Sequence, residues 1–331
     1  VRRIVANLLW EDDLAPRRTT PPRTVLETAS GLGTLLRVFA QDGDHLWTPS
    51  PVDPERVLEV PGVSRPILES GPLHELPPAD EVLAWAASSA IAAAVHHRAF
   101  CLQIAEELGC VLPGSQMVGS LPALDRLLST AQAPRTWVLK APLSASGRNR
   151  YIERNGPGIA DPRSRRRVEH LFESHGLLLF EPWMNRTADF GVSAHLDPAG
   201  LSIVGIHGQK VDIKGQFAGI DLQPVLSEAE RARLIETVES VGAVLQRQGY
   251  MGPFGIDAWR YRKESGEEIL HPLGEINARM TFGLIAWAFA ERVEGAARLR
   301  FGRNLPVVAE TAVVPLLAPG PDRGSAAWLE L

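Results

Sequence analysis

The chain has 331 residues, 45% hydrophobic and 22% charged, the proportions of an ordinary soluble globular protein with two or three lobes. A net charge of −5 disfavours a nucleic-acid partner, which usually meets a basic surplus. The two cysteines, Cys101 and Cys110, form neither a disulfide framework nor a zinc pattern, so a reducing, cytoplasmic setting is expected.

No stretch is expected to span a membrane, since "LAWAASSAIAAAV" (83–95) is too short and too rich in Ala and Ser. "VRRIVANLLWEDD" begins basic and apolar, but its apolar run stops at Glu11, Asp12 and Asp13, and no signal peptide is expected. Lysine occurs only at Lys140, Lys210, Lys214 and Lys263, so its placement carries information.

Residues 1–80 read as an irregular, proline-rich α/β region. "RIVANLLW" and "TLLRVFAQ" are expected strands around the turn-rich "DDLAPRRTTPPR", and 49–78 is expected to be surface loop. "PADEVLAWAASSAIAAAVHHRAFCLQIAEELG" predicts two helices broken near Ser88–Ser89, with Gly109 as terminator and His96 and His97 on the helix surface. A short strand in "CVLPGSQMVGS", a helix in "LPALDRLLSTA" and a buried strand in "TWVLKAP" follow. "ADPRSRRRVEHLFESHG" has Asp161 as N-cap, Pro162 at the first helical position and Gly176 past the end. Its arginine run (163–167) is expected to be a solvated turn. "LLLFEPWM" is a buried strand, and "ADFGVSAHLDPAGLSIVGIHGQKV" a hairpin turning at "DPAG". Ser227 and Gly249 bound a long amphipathic helix. "FGIDAWRYRKESGEEILHPLGEINARM" is a second hairpin turning near Ser265–Gly266. "FAERVEGAARLRFG" is expected to be helical, and the tail 305–331 mostly irregular.

The second hairpin carries the chemistry. In a strand, Glu275, Asn277 and Arg279 share one face while Ile276 and Ala278 take the other. A turn at Ser265–Gly266 or on Gly266 sets Asp257 opposite residue 274 or 275. Opposed carboxylates repel, but a divalent cation between them reverses the sign. Two acids and an amide are a hard oxygen set, suited to magnesium holding substrate phosphates. Arg279 is placed to hold an anion.

The order strand–Asp, hairpin, Glu-x-Asn-x-Arg resembles the metal-binding end of the ATP-grasp superfamily. Most of its members join a carboxylate to an amine or other nucleophile through an acyl phosphate. The resemblance covers about residues 90–300. It implies an α/β chain of α+β lobes: an ATP-grasp fold behind an N-terminal α/β pre-ATP-grasp domain. The expected divisions are 1–90 for that domain, 91–180 for the small lobe, 181–304 for the C-terminal lobe with its metal site, and 305–331 for a tail.

Residue by residue, the resemblance assigns Asp257, Glu275 and Asn277 to the metal and Arg279 and Lys140 to catalysis. For the nucleotide it implies Lys140 and the loop residues Ser144, Ser146 and Gly147 at the phosphates. The resemblance likewise implies that Glu181, Pro182, Trp183 and Met184 form an adenine-reading hinge and that Asp189 is the ribose contact. Arg98 stands where the family usually has a lysine, and Lys210, ahead of Lys214, supplies a further basic contact. The implied cofactors are ATP and Mg²⁺, with Mn²⁺ able to substitute. The implied partners are small carboxylate and amine substrates, amino acids and peptides among them, without nucleic acid or membrane. A homodimer is left open. The expected function is an ADP-forming ligase making an amide or peptide bond. The alternatives are a small-molecule kinase on the same fold and a non-catalytic ATP-binding regulator.

Overall fold

The computed structural model describes residues 1–331 apart from 15–20, 88, 145–147, 212–216, 307–311 and 321–324. The first unit is a parallel sheet in the order β3-β2-β1-β4. It is built from β1 (Arg2–Val5), α1 (Trp10–Asp13), α2 (Arg23–Gly33), β2 (His45–Thr48), β3 (Ile67–Ser70) and β4 (Glu81–Ala84). Ile4 and Leu46 are fully buried, as a parallel sheet covered on both faces requires.

Three expectations fail in this region. The stretch 49–78 is not all surface loop, because Ile67–Ser70 pairs in parallel with His45–Thr48 as strand β3. "TLLRVFAQ" is a 3₁₀ turn over Thr34–Phe39, continuous with α2. Its β-like composition yields to packing, because Leu35, Leu36 and Val38 are all buried by the compact turn. "EVLA" is strand β4, not helix: parallel pairing with β1 overrides its helix propensity.

The next unit runs α3 (Ala90–His96), α4 (Arg98–Glu107), β5 (Gln116–Val118), α5 (Leu121–Leu128), β6 (Trp137–Lys140), β7 (Arg150–Glu153), α6 (Pro162–His175) and β8 (Leu178–Pro182). The break between α3 and α4 falls at His97, eight residues later than Ser89. Ser89 instead caps α3 by accepting from the Ala92 N–H, and His97 Nδ1 accepts from the Ala99 N–H. The strands form an antiparallel sheet in the order β5-β8-β6-β7 around Trp137, Leu139 and Phe180.

The third unit comprises β9 (Arg186–Asp197), β10 (Gly200–Val211), β11 (Phe217–Asp221), α7 (Glu228–Arg247), β12 (Gly252–Arg262), β13 (Glu268–Asn277), α8 (Phe282–Ala290), β14 (Arg298–Gly302), β15 (Val313–Leu317) and β16 (Ala326–Glu330). Its antiparallel sheet has the order β13-β12-β9-β10-β11-β14-β16-β15. A capping box between Ser227 and Glu230 starts α7. At its end Gly249 turns left-handed with φ of 78°, and the Tyr250 N–H closes onto the Leu245 carbonyl. "FAERVEGAARLRFG" is not one helix: α8 ends at its second residue, and "RLRFG" is β14 between β11 and β16. The tail supplies β15 and β16. Val313, Val314 and Leu317 of the tail pair with Glu330, Leu329 and Ala327.

Among the described residues, no helix is long and apolar enough to cross a membrane. Three histidines are buried in the fold: His96, His207 and His271. Burial holds each of them down to about 4. An unfolded histidine titrates near 6.5. The stability they contribute is therefore full above about pH 6.5 and is lost as pH falls toward the folded value. The Asp257 carboxyl, pushed up to about 6 by burial, opposes them over the lower part of that window. With burial holding His97 and His175 low as well, five histidines stand against one carboxyl, and the urea midpoint is expected to fall between about pH 7 and about pH 5 at constant m-value. A flat midpoint would mean that water reaches these rings in the folded protein.

Candidate functional site

A cavity of about 800 Å³ opens between the sheets, lined by side chains from all three units. The β12–β13 hairpin forms one wall. Near its tip Arg262 pairs with Glu268 and Arg260 with Leu270, a register that alone would set Asp257 opposite Leu273. An irregularity between Asp257 and Trp259 shifts the pairing and places Asp257 against Glu275. Gly274 provides the room: a Cβ there would overlap the Trp259 ring.

Asp257 is held at both oxygens. Gln209 Nε2 donates to Oδ1 at 2.6 Å, and Asn277 Nδ2 donates to Oδ2 at 3.1 Å. Burial and the neighbouring Glu275 carboxylate push its acid up to about 6, against the pull of those two donors. Burial would also raise Glu275, but Arg98, His96 and Lys140 together hold it below the usual carboxylate range. Arg98 Nη2 lies 2.9 Å from both Glu275 oxygens. Its Nη1 donates to Ser144 Oγ at 2.9 Å and to the Ala141 carbonyl. The Arg98 backbone N–H donates to the Pro142 carbonyl at 3.0 Å. One arginine thus ties the loop after β6 to the Glu275 carboxylate.

Lys140 ends β6 and donates to the Glu181 carboxylate, with its ammonium 5.7 Å from the centre of the Trp259 ring. Glu181 is buried behind that contact. Pro182 pairs with Trp137 inside the small sheet. Trp183 faces the cavity, with the guanidinium groups of Arg150, Arg154 and Arg186 at 5.6 to 6.0 Å from its ring centre. Met184 packs instead against Leu112, Trp259 and Tyr261. Asp189 lines the cavity and accepts from Arg186 Nη1 at 3.0 Å.

The strand stops at Asn277, and the Arg279 N–H folds back onto the Asn277 carbonyl at 2.8 Å. Arg279 still reaches the cavity. Its Nε donates to Glu11 from α1, and its Nη1 donates to the Met280 carbonyl at 2.9 Å. Glu11 is fully buried, and its second oxygen has no hydrogen-bond partner. Burial would raise the Glu11 acid, yet Arg279 and His96 hold it low. His96 is not a surface residue as expected: it is 2% exposed and its Nδ1 accepts from the Ala278 N–H at 3.2 Å.

Of the expected site residues, Arg98, Lys140, Ser144, Trp183, Asp189, Asp257, Glu275, Asn277 and Arg279 line the one cavity. Lys210 does not: it is exposed, and the cavity takes Gln209 instead. The reason is strand alternation, which sends neighbouring residues of β10 to opposite faces. Ser146, Gly147 and Lys214 lie outside the described residues.

No family model and no curated protein matches the chain by sequence. Solved structures do match. A biotin carboxylase from Campylobacter jejuni superposes with a TM-score of 0.58 at 12% identity, over 99% of this chain and 87% of that one. Phosphoribosylamine–glycine ligase from Thermotoga maritima gives 0.54 at 12% identity, over 100% and 92%. The biotin carboxylase domain of Hydrogenobacter thermophilus 2-oxoglutarate carboxylase, with MgADP and bicarbonate, gives 0.51 at 14% identity. That match takes in 72% of this chain and spans 62% of that one, less than two thirds of its length. All three are ATP-grasp proteins.

The chain has the ATP-grasp fold. The donor chemistry at the hairpin suits a hard divalent ion. Asp257, Glu275 and Asn277 each offer a side-chain oxygen, and the hairpin register sets the two carboxylates opposite one another. Among the described residues no group of three or more His, Cys, Asp or Glu side chains is placed to hold a metal.

Proposed function

We propose that this ATP-grasp protein is an ATP- and Mg²⁺-dependent ligase joining a small carboxylate to an amine through an acyl phosphate. The observation that carries the reading is the convergence of Lys140, Asp257, Glu275, Asn277 and Arg279 on one cavity. Mg²⁺, held by Asp257, Glu275 and Asn277, would supply charge neutralisation at the transferred phosphates. Mn²⁺ has the same oxygen preference and can stand in. Lys140 meets the phosphate chain as a point charge, exchanging Glu181 for phosphate oxygen. The freed Glu181, with the backbone of Pro182–Met184, reads the adenine edge. Trp183 packs beside it, and Asp189 takes the ribose hydroxyls. Arg98 keeps the loop at Ser144 closed over the nucleotide.

The substrate carboxylate attacks the terminal phosphorus, and the bond to ADP breaks. The amine then attacks the acyl carbon, the carbon–oxygen bond to phosphate breaks, and the amine's proton leaves with the phosphate. Arg279 neutralises charge on the oxygens that gain it in both steps. A carboxylate labelled with ¹⁸O must pass one labelled oxygen to inorganic phosphate. Unlabelled phosphate, or AMP as co-product, would contradict this route. A stable phosphorylated product without phosphate release would mark a kinase.

Binding has its own test. MgATP at a hundredfold excess over its dissociation constant stabilises by about 2.7 kcal/mol through linkage. Lys140→Ala should remove most of the resulting thermal shift, and Asp189→Ala less of it. Equal protection by GTP would rule out adenine reading at residues 181–184.

A further inference from the structure

Not all of the cavity is polar. Beyond Arg279 most of its wall is apolar, interrupted on α2 by Thr24 and Thr28, and none of the residues there has a role in holding nucleotide or metal. The first unit contributes Val25, Ala29 and Leu32 from α2, with Trp85 just past β4. The large sheet's side contributes Phe217 and Phe282. The rings are contiguous: Trp85 lies 5.6 Å from Phe282, and Phe282 stacks on Phe217 at 5.6 Å with 21° between planes. Arg279 marks the boundary, its guanidinium 5.1 Å from the centre of the Trp85 ring and its Nε on Glu11. A phosphate chain gains nothing from such a wall, whereas an apolar body gains by leaving water. The aromatic and basic groups at the other end, Trp183, Trp259 and Arg186, already offer a flat base its stacking surface.

We infer that the carboxylate substrate carries a bulky apolar body, aryl or branched alkyl, which sits between α2 and the Trp85–Phe282–Phe217 wall with its carboxylate at Arg279. This rests on the ligase reading for the chemistry, but the chamber binds the acid whatever follows.

The test separates the two. Calorimetry on the full chain with MgATP present measures binding of a graded series of carboxylic acids, with polar acids of equal size as controls. The same acids are then incubated with MgATP and hydroxylamine, which traps an acyl phosphate as a hydroxamate. Affinity should rise roughly fourfold per added methylene up to the chamber's capacity, the fold-change of burying one CH₂. Polar acids of equal size should bind at least about tenfold more weakly. Val25→Trp, at a half-buried helix position, should weaken the bulky acids about tenfold or more and keep the MgATP thermal shift. Preference for polar acids, or an unchanged series in Val25→Trp, would overturn the chamber assignment. Loss of the MgATP shift in a folded Val25→Trp protein would also overturn it, because the chamber would then hold the nucleotide. Tight binding of apolar acids with no hydroxamate would support the chamber and overturn the ligase.

Discussion

Asp257→Asn should yield a folded protein that releases ADP at below about 1% of the parent rate, a larger loss than the ~10–100-fold cost of disturbing an outer-sphere group around a metal. The side chain keeps its size but loses the charge that a divalent ion needs. It also gains an amide NH₂ where Gln209 and Asn277 already point donors. Stability should hold or rise, because the buried charge facing Glu275 is gone. Glu275→Gln should be as inactive but less stable, since it takes the carboxylate from Arg98. Steady-state ADP release and urea unfolding on both variants make the comparison. Parent-like turnover in either one would remove the hairpin from the chemistry.

Arg279→Ala should lose on the order of 10²–10³ in kcat while keeping most of its MgATP affinity, the pattern of an interaction made chiefly in the transition state. Stability complicates the reading. Removing Arg279 strands the fully buried Glu11 carboxylate, at a cost of about 3–5 kcal/mol. Combining Arg279→Ala with Glu11→Gln should recover much of that stability and none of the kcat. Recovery of both would show that Arg279 acts only by holding the fold together. A weakened MgATP shift in the double variant would place Arg279 at the nucleotide instead.

The hairpin was legible because its signal is local. Alternation of Glu275, Asn277 and Arg279 and the turn near Gly266 both lie within one short stretch. The register came out with Asp257 on Glu275, although through a bulge that no turn residue announces. Charge points to Lys210, whereas strand parity puts its neighbour Gln209 on the cavity face, donating to Asp257. Glu11 and His96 were missed for a different reason. Their roles come from contacts with Arg279 and Ala278, residues 268 and 182 positions away in sequence, and "WEDD" and "VHHR" carry no local trace of them. The strand at Glu81–Ala84 and those of the tail escaped because sheet pairing with distant partners decides them, not propensity.

The tail strands are also lashed to the beginning of the chain. Leu317 bridges Val57, the Leu58 N–H donates to the Leu316 carbonyl, and the fully buried Arg37 guanidinium donates to that same carbonyl at 3.1 Å. Some 260 or more residues of chain separate Arg37 and Leu58 from the carbonyl they share. Cutting the chain ahead of Leu316 is therefore expected to take the shared acceptor from Arg37 and Leu58 and to loosen the first unit, far away in sequence.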